Sequence, residues 1–410
     1  MVSLSDKLKS LGVQHGARHI QPRPPSPDYP IETVVKGQLR STAHGTLFSA
    51  ETHLPDDHRH GRGGLRPEAN MAPIANWVED NNVAVQPLEQ FIFLDTETSG
   101  LAGGTGTYAF LVGAARFDQG QFRLVQFFMP NPGEEKALLH ALTEFMGSGK
   151  VLVTFNGKSF DAPLLNTRYT MHGWESPLPD MTHLDLLPLA RRLWRDRLPS
   201  RRLTDLERDI LLLTRTEEDV PGWLIPQIYF DYVRSADARP LKGVFYHNKL
   251  DVVAMAALLN QMAQMLADPL SESVEYALDL VAIGKLYEAI GELDQAARLF
   301  HEGMQRNDLP EEHYWTTQHR LSLLEKRRGT WSEAVAVWEL AAEGQQLYAH
   351  VELAKFYEHK QRDYNSAMYW TETALELIQQ SRRYRPHDRT WLADLRHRRM
   401  RLQRKLGKQG

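Results

Sequence analysis

The sequence predicts an α/β domain with a mixed sheet flanked by helices, followed by an all-α domain. Residues 90–270 combine short apolar runs with amphipathic helical patterns. From about residue 273 the strand patterns end, and helical segments recur at offsets of 38 and 33 residues. Such periods are typical of stacked helical repeats. We therefore expect three regions: an N-terminal extension at 1–85, the α/β domain at 86–270 and helical repeats at 271–410.

The composition excludes several classes of protein. The chain has 410 residues, 48 Lys and Arg against 52 Asp and Glu, a net charge of −4, and no cysteine. It therefore has no disulfide, no Cys-ligated zinc, no iron–sulfur cluster and no thiol nucleophile. The near-neutral charge disfavours a globally basic nucleic-acid binder. We expect a cytoplasmic protein, because no apolar run approaches the roughly 18 residues of a membrane span and no signal sequence is apparent.

The elements of the α/β domain follow from apolar patterns and turn residues. A buried strand runs from Phe91 to Leu94. Two further strands flank an Asp-Gln-Gly-Gln turn of the hairpin type. A helical pattern that ends in glycine then leads to a fourth strand, and helices follow. These segments are strands at 107–117, 122–130 and 150–157, and helices at 134–146, 159–173, 184–198, 203–212 and 248–266.

Three weaker patterns accompany these elements. Residues 34–54 mix β-formers with glycine and predict one or two strands, after a Pro-rich run at 21–30. His58 and His60 are interpreted as loop residues, with a metal site as the alternative. Residues 204–207 begin with Thr and end with Glu, the spacing of a capping box, which predicts that the Thr caps its helix.

Three similar copies of a helical pair follow residue 273. They align on Gly291, Gly329 and Arg362, with small alanines at close-packing positions and large aromatic residues at others. Three copies are about the minimum for a stable stack. The last helical segment, 387–407, has apolar residues on one face and is predicted to cap the array.

The strongest chemical signal is Asp95-Thr96-Glu97 at the end of the first strand. Side chains alternate along a strand, so both carboxylates project from the same face. Two carboxylates this close are costly unless a cation neutralises them, and Mg²⁺ or Mn²⁺ suits oxygen ligands. An Asp-x-Glu pair is common by chance, so a functional interpretation needs partners elsewhere in the chain.

The second element is Asp161, which follows the strand at 150–157 and opens a helix. Functional sites of such sheets cluster at the carboxyl ends of strands, whereas the alternative is a helix N-terminus that simply favours Asp. The segment Gly157-Lys158-Ser159 is not a phosphate-binding loop, because Leu152 stands where that pattern requires glycine.

A third element pairs His247 with Asp251. These residues are four apart and share one face of a helix. Tyr246 is five residues before Asp251 and is rotated by about 140° from it. His247 is therefore the better candidate for a general base. A bulge at the start of the helix would instead place Tyr246 on the face of Asp251 and make it the candidate. The alternative is a structural His–Asp pair.

Taken in order, the three elements resemble the exonuclease motifs of the DEDD superfamily, which has an RNase H-like fold. Five segments resemble its YprB-like (MrfB-like) branch, which comprises bacterial RNase H-like exonucleases with a C-terminal tetratricopeptide array. His247 stands at the spacing of the superfamily's Tyr type, and Tyr246 at that of its His type. The resemblance is dense over residues 90–268, and its segments are 94–117, 152–169, 182–194, 219–234 and 247–253.

This resemblance implies a 3′→5′ exonuclease with a two-metal mechanism. Two Mg²⁺ or Mn²⁺ ions about 4 Å apart would activate the attacking water and stabilise the leaving 3′ oxygen. His247 would accept the proton of the water. The implied metal ligands are Asp95, Glu97, Asp161 and Asp251.

Further residues are candidates for holding the substrate. Asn156 and Lys158 are placed to position its backbone, and Thr96 lies between the first two carboxylates. The glycine-rich loop that contains Gly106 and Tyr108 would let a terminal nucleotide approach, or is only a tight turn between strands.

Two basic stretches are also candidates for substrate contact. Residues 191–202, which begin with Arg191 and Arg192, have six Arg against one Asp, and residues 382–408 are similarly basic. Arg beside aromatic residues suits a nucleic-acid strand. The alternative for both stretches is a solvated helix face.

Three functions compete on these observations. The first is a DNA exonuclease in repair, with the repeat array recruiting a protein partner such as a helicase. The second is an RNA-processing exoribonuclease, which differs by a contact to the 2′-OH. The third is a non-catalytic scaffold whose repeats do the binding. The presence of all four carboxylates disfavours the scaffold.

Overall fold

The computed structural model describes residues 29–100, 106–380 and 386–407. Most of the Pro-rich run, part of the glycine-rich loop and part of the basic C-terminal stretch lie outside the described residues. The strands are β1 (Gln38–Thr42), β2 (Gly45–Pro55), β3 (Arg59–His60), β4 (Gly63–Gly64), β5 (Phe91–Thr98), β6 (Ala109–Asp118), β7 (Gln121–Phe128), β8 (Val151–Thr154) and β9 (Thr182–Asp185).

Seven strands form one sheet in the order β1-β2-β7-β6-β5-β8-β9, while β3 and β4 pair separately. β5, β6 and β7 are antiparallel neighbours, and β8 and β9 continue from β5 in parallel. The β6–β7 turn carries Gln119 and Gly120, with φ angles of 48° and 74°, as a two-residue hairpin of this twist requires. The mixed sheet with an antiparallel hairpin is therefore confirmed.

The segment before the α/β domain contributes strands to the same sheet. β1 and β2 form a hairpin, and β2 pairs antiparallel with β7 from Phe48 opposite Phe128 to Pro55 opposite Gln121. Phe48 is fully buried there and meets the ring of Phe245 edge-on. The strands predicted at 34–54 are confirmed, and they lengthen the sheet at its β7 edge.

Helices cover both faces of the sheet. Phe93 and Val153 pack with α6, α7 and the second half of α9 on one face. Ile92 and Val112 pack with α4, α5, α8 and the start of α9 on the other. The helices are α1 (Ile31–Val34), α2 (Ala72–Val78), α3 (Asn82–Val85), α4 (Glu135–Met146), α5 (Asp161–Met171), α6 (Leu186–Trp194), α7 (Leu203–Asp209), α8 (Ile225–Ser235) and α9 (Leu241–Ala267).

The longest of these helices, α9, is the only described helix that is long and apolar enough to cross a membrane. Most of its apolar window, 78%, is buried within the protein. Its side chains pack against β5, α2 and α7. We therefore interpret α9 as the central core helix of the α/β domain.

Three local predictions are wrong. His60, interpreted as a loop residue, lies in β3 and is buried. The stretch predicted as a helix from residue 184 begins as strand β9, because Thr182–Asp185 pairs in parallel with β8 and only then enters α6. A four-residue strand is too short to show periodicity in the sequence. Thr204 lies inside α7, whose N-cap is Arg202 and makes no side-chain hydrogen bond. Glu207 faces the core instead, since its carboxylate binds His60 and Arg215.

The C-terminal region is entirely helical over its described residues. Consecutive helices pack against one another, with Phe300 and Trp338 buried between them. The helical array is as expected, and its assignment as tetratricopeptide repeats stays a prediction. The helices are α10 (Ala277–Ala289), α11 (Leu293–Gln305), α12 (Glu311–Arg328), α13 (Trp331–Glu343), α14 (Leu347–Phe356), a π-helical turn (Tyr357–Gln361), α15 (Tyr364–Gln380) and α16 (Pro386–Leu406).

Candidate metal centre

The first two acidic residues lie near the end of β5, at the middle of the sheet. Asp95 accepts a hydrogen bond from Asn248 Nδ2 on α9, with an N···O distance of 2.8 Å. Asn248 is fully buried and packs on Gly113 of β6. A Cβ at Gly113 would fall 2.3 Å from Asn248 Oδ1. Glycine is thus required there so that α9 can approach the strand that carries Asp95.

The amide of Asn248 is held from its other side. Gln126 Nε2 donates to Asn248 Oδ1 at 3.0 Å and to the carbonyl oxygen of Phe245 at 2.8 Å. The oxygen of Asn248 is therefore engaged, so its amino group faces Asp95. This chain of hydrogen bonds fixes α9 against β5 and orients the Asp95 carboxylate.

Asp161 comes to the same region from the first turn of α5. Its carboxylate is 9% exposed and accepts a hydrogen bond from Thr96 Oγ1 at 2.5 Å. Thr96 lies between Asp95 and Glu97 on β5, so this contact connects the start of α5 to the acidic end of the strand. In this structure the Thr96 hydroxyl therefore orients Asp161.

The loop that precedes α5 is anchored by Asp185 at the end of β9. The Asp185 carboxylate accepts hydrogen bonds from the backbone N–H of Asn156 at 2.7 Å and of Lys158 at 3.1 Å. A Cβ at Gly157 would lie 2.5 Å from the side chain of Thr154, so the loop can pass close to β8 only with glycine. This anchoring fixes the entry to α5.

His247 and Asp251 lie one turn apart on α9. The helix is continuous from Leu241, so it has no bulge before His247. His247 Nε2 lies 3.6 Å from Asp251 Oδ2, and its Nδ1 lies 2.7 Å from Asp219 Oδ1. A hydrogen bond from Nδ1–H to Asp219 leaves Nε2 as the acceptor nitrogen.

Tyr246 is engaged elsewhere. Its hydroxyl oxygen accepts a hydrogen bond from Thr216 Oγ1 at 3.0 Å, at an exposed position. The two side chains thus differ in their contacts: His247 reaches Asp251, and Tyr246 contacts the loop before α8. This geometry supports the role predicted for His247.

Arg215 is the cation next to the acidic residues. Its guanidinium, whose side chain is 7% exposed, pairs with Asp251, with Glu207 at 2.6 Å and with Asp219 at 3.5 Å. Glu207 also contacts His60 Nε2 at 2.6 Å. A buried charge network thus extends from the N-terminal segment to Asp251, and it holds Asp251 and Asp219 in place.

The carboxylates of this cluster repel one another. Burial raises the pKa of Asp95 well above its ordinary value, and repulsion from Asp251 and Asp161 raises it further. Burial, followed by repulsion from Asp95 and Asp251, likewise raises the pKa of Glu97. Burial also raises the pKa of Asp161 to about 6, although hydrogen bonds from Thr96 and the backbone oppose that shift. The cluster would be stabilised by added positive charge.

The donor chemistry of the cluster fits a divalent cation. Within 29–100, 106–380 and 386–407, no side chain donates a hydrogen bond to the Glu97 carboxylate or forms an ion pair with it. The four carboxylates carry more negative charge than Arg215 alone can neutralise. Hard divalent ions such as Mg²⁺ or Mn²⁺, which prefer oxygen ligands, would neutralise the excess. No three acidic or imidazole side chains of the described part already converge on a single point. The ligand set is therefore taken up below as a proposal.

The remaining predicted substrate residues occupy different places. Tyr108 is half-buried with its ring 6.3 Å from that of Tyr229, edge to face. Among the described residues, no atom lies within 4 Å of a Cβ built at Gly106.

The basic stretch at 191–202 faces the helical array. Arg192 donates to the carbonyl oxygen of Lys285 on α10, and Arg197 pairs with the buried Asp279 at 2.7 Å. These contacts connect the α/β domain to the array. Arg191 is exposed on α6, so it is the residue of the predicted pair that is open to solvent.

Sequence reasoning missed five residues that organise the cluster. Four of them share no short motif with the carboxylates and reach the cluster only through the fold, whereas Asn248 stands between His247 and Asp251 on α9. Asn248 had one usable signal, since an amide next to His247 falls on the helix face that meets the sheet. The five residues are Asp185, Glu207, Arg215, Asp219 and Asn248.

Comparisons with known proteins agree with this architecture. Residues 92–263 match the family model RNase_H_2 of the RNase H superfamily. YprB of Bacillus subtilis (strain 168) is 34% identical over 288 residues, which cover 69% of this chain and 68% of YprB.

A solved structure also matches, more weakly. The family B DNA polymerase from the hyperthermophilic archaeon Pyrobaculum calidifontis is 15% identical, with a TM-score of 0.32, over 48% of this chain and 29% of the polymerase. The chain thus spans less than a third of the polymerase, and a score at this level does not show a shared fold. From the match to YprB and the matching superfamily model, we conclude that the chain belongs to the YprB family and carries an RNase H superfamily domain.

Proposed function

We propose that the chain is a divalent-metal-dependent 3′→5′ exonuclease that acts on DNA, in the cytoplasm and in DNA repair. One observation carries the proposal: three elements of an RNase H superfamily domain bring four carboxylates together, and Glu97 has no cationic partner among the described residues. Membership in a nuclease superfamily supports hydrolysis of phosphodiester bonds. The polarity, the preference for DNA and the repair role rest on the resemblance of the motifs.

The proposed metal ligands are Asp95, Glu97, Asp161 and Asp251. When bound, two Mg²⁺ or Mn²⁺ ions would supply positive charge that offsets the charge developing on the phosphodiester. The chain's own residues keep these carboxylates oriented. Asn248 holds Asp95, Thr96 holds Asp161, and Arg215 holds Asp251.

His247 is the proposed general base. Its Nδ1–H is directed at Asp219, which fixes the neutral tautomer with Nε2 as the proton acceptor. Nε2 faces Asp251, so a water at the metal ligands lies within reach of a base. Asn156, Lys158, Tyr108, Gly106 and Arg191 remain candidates for contact with the strand.

We expect His247→Ala to lower kcat by roughly a hundredfold or more, because proton transfer by a positioned side chain contributes about that much. Tyr246→Phe should leave kcat nearly unchanged, since the lost hydroxyl contacts only Thr216. Asp219→Asn should lower kcat less than His247→Ala does and leave KM unchanged, because it disturbs the tautomer of His247 and not the binding of the oligonucleotide. Steady-state digestion of a labelled oligonucleotide measures all three. A large loss of kcat in Tyr246→Phe with a small loss in His247→Ala would assign the role of general base to Tyr246 instead.

The polarity and the sugar preference are tested together. Matched single strands of DNA and RNA, labelled at the 3′ or the 5′ end, are digested with Mg²⁺, Mn²⁺ or EDTA. The proposal predicts early release of the 3′ label from DNA and no release in EDTA. Preferential digestion of RNA would favour the second candidate, an exoribonuclease, which the same motifs permit.

The helical array is the proposed recruiting part of the protein. It packs against the α/β domain through α6 and α10, where Lys285 pairs with Asp196 at 2.8 Å. A protein partner bound to the array would therefore be held close to the nuclease domain. By the resemblance, the repeats are tetratricopeptide repeats and the partner is a helicase.

A further inference from the structure

The helical array contains a cavity of about 300 Å³ between α12, α13, α14 and α16. We call it the repeat cavity. Its apolar part is aromatic and consists of Trp331, Trp338 and Phe356. Lysines surround these rings, namely Lys326, Lys355 and Lys360. None of these residues belongs to the candidate metal centre.

The indole of Trp338, one of the rings that line the repeat cavity, carries an unused donor. Trp338 is 1% exposed, and its Nε1–H finds no hydrogen-bond partner among the described residues. A buried N–H without an acceptor costs free energy, which a ligand oxygen would recover on binding. Because Trp338 lines the repeat cavity, a ligand there would lie beside a residue whose donor is unused.

The charges around the repeat cavity favour an anion. Lys326 and Lys355 share one carboxylate, that of Glu352, at 2.8 and 2.7 Å. One positive charge of this group is therefore uncompensated. Lys360 is exposed and forms no ion pair among the described residues; its ammonium lies 4.6 Å from the centre of the Trp331 ring. Together with the Trp338 donor, these charges match a carboxylate.

The repeat cavity continues into two neighbouring cavities. Lys355 and Arg398 also line one of about 320 Å³ between α14 and α16. Trp331, Phe356 and Lys360 also line one of about 420 Å³. A single small ion would leave these spaces empty, whereas an extended peptide can fill adjoining cavities with successive side chains.

We propose that the repeat cavity binds an extended acidic segment of a partner protein, in which carboxylates alternate with apolar side chains. A carboxylate accepts from Trp338 Nε1–H and pairs with the surrounding lysines, and an apolar side chain packs on the aromatic rings. A nucleic-acid strand fits less well: the Trp331 ring packs against Phe356 and under Lys360, and Trp338 is buried, so little aromatic face is open for base stacking.

The inference rests on the recruiting role proposed for the array and is independent of nuclease chemistry. The probe is a short fluorescein-labelled peptide of alternating Glu and Leu, titrated with the full chain at low salt and followed by fluorescence anisotropy. Its counterpart with Gln for Glu is the matched control. We expect the Glu peptide to bind at least about tenfold more tightly than the Gln peptide.

Two variants locate the binding site. Lys360→Glu should weaken binding of the Glu peptide by about tenfold or more, whereas Arg298→Glu, an exposed residue of α11 with the same change in charge, should not. Trp338→Phe should weaken binding by about fivefold without lowering the unfolding midpoint of the free chain, because the lost N–H has no partner there. All three variants should retain the nuclease activity of the parent chain.

Several outcomes would overturn the assignment. Equal binding by all variants would place the peptide elsewhere on the array and leave the recruiting role intact. Equal affinity for the Gln peptide, or no binding at millimolar peptide, would exclude an acidic ligand. Loss of oligonucleotide binding in Lys360→Glu, with the peptide unaffected, would assign the repeat cavity to the substrate strand. Absence of nuclease activity in the unsubstituted chain would contradict the proposed nuclease function but not the binding of an acidic peptide.

Discussion

Replacing Asp95 by asparagine should lower metal-dependent release of nucleotides by roughly a thousandfold, or about 4 kcal/mol of transition-state stabilisation. The substitution keeps the shape of the side chain, and its amide oxygen can still accept from Asn248 Nδ2. It removes the charge at the centre of the acidic cluster, where repulsion from Asp251 and Asp161 already disfavours a third carboxylate. The fold should therefore be retained, and the unfolding midpoint measured without metal should stay the same or rise.

The matched control for this variant is Asp180→Asn. Asp180 is exposed and lies just before β9, away from the cluster. The same change of charge there should leave the initial rate of digestion of a 3′-labelled oligonucleotide unaltered. Full activity of a folded Asp95→Asn chain would remove Asp95 from the chemistry.

Replacing Glu358 by alanine should destabilise the end of the array by roughly 3 kcal/mol or more. The Glu358 side chain is fully buried in the π-helical turn. Three cations of α16 converge on it: Arg398 at 2.5 Å, Arg401 at 2.7 Å and Lys405 at 3.0 Å. Without the carboxylate these charges are left close together, and α16 loses its main polar attachment. Urea unfolding followed by circular dichroism measures the loss, with the exposed Glu376→Ala as a control expected within about 0.5 kcal/mol.

The same carboxylate predicts a dependence of stability on pH. Burial alone would raise the pKa of Glu358, but hydrogen bonds from Arg401 and Lys405 and the charge of Arg398 hold it at about 2. An unfolded Glu has a pKa of about 4.3. The folded form therefore binds its proton less readily, and the stabilisation is complete above about pH 5 and lost as the pH falls towards 2. The difference between the wild type and Glu358→Gln should shrink over that interval; a constant difference would show that the charge is not responsible.

Local sequence patterns indicated the candidate metal ligands more readily than the residues packed around them. The carboxylates of β5 were singled out because a buried strand ending in Asp-x-Glu is visible within a few residues. Arg215 and Asp219 were missed because they lie in a loop and reach Asp251 and His247 only through the fold. Glu207 was misassigned for the same reason. Its spacing from Thr204 suggested a helix cap, but its carboxylate pairs with the buried His60 and with Arg215, which are distant in sequence or lie outside the helix.

The architecture was predictable to a similar degree. The hairpin, the fourth strand and the change to helices have strong periodic signals in the sequence. β9 has only four residues, and the pairing of β2 with β7 joins segments about seventy residues apart, so neither could be placed from local pattern. The basic stretch at 191–202 was predicted to contact either a nucleic-acid strand or solvent. Arg192 and Arg197 instead contact α10. The sequence could not predict this, because it does not show which surface the array covers.

Binding of Mn²⁺ to the metal-free chain, measured by isothermal titration calorimetry, tests the central claim most directly, because it depends on the four carboxylates and not on the choice of substrate. The account predicts two bound ions per chain in the wild type, fewer in Asp95→Asn, and an unfolding midpoint that rises with Mn²⁺ only where ions bind. A chain that binds no Mn²⁺ at millimolar concentration, or that binds it equally well after Asp95→Asn, would contradict the claim that this cluster is a metal centre.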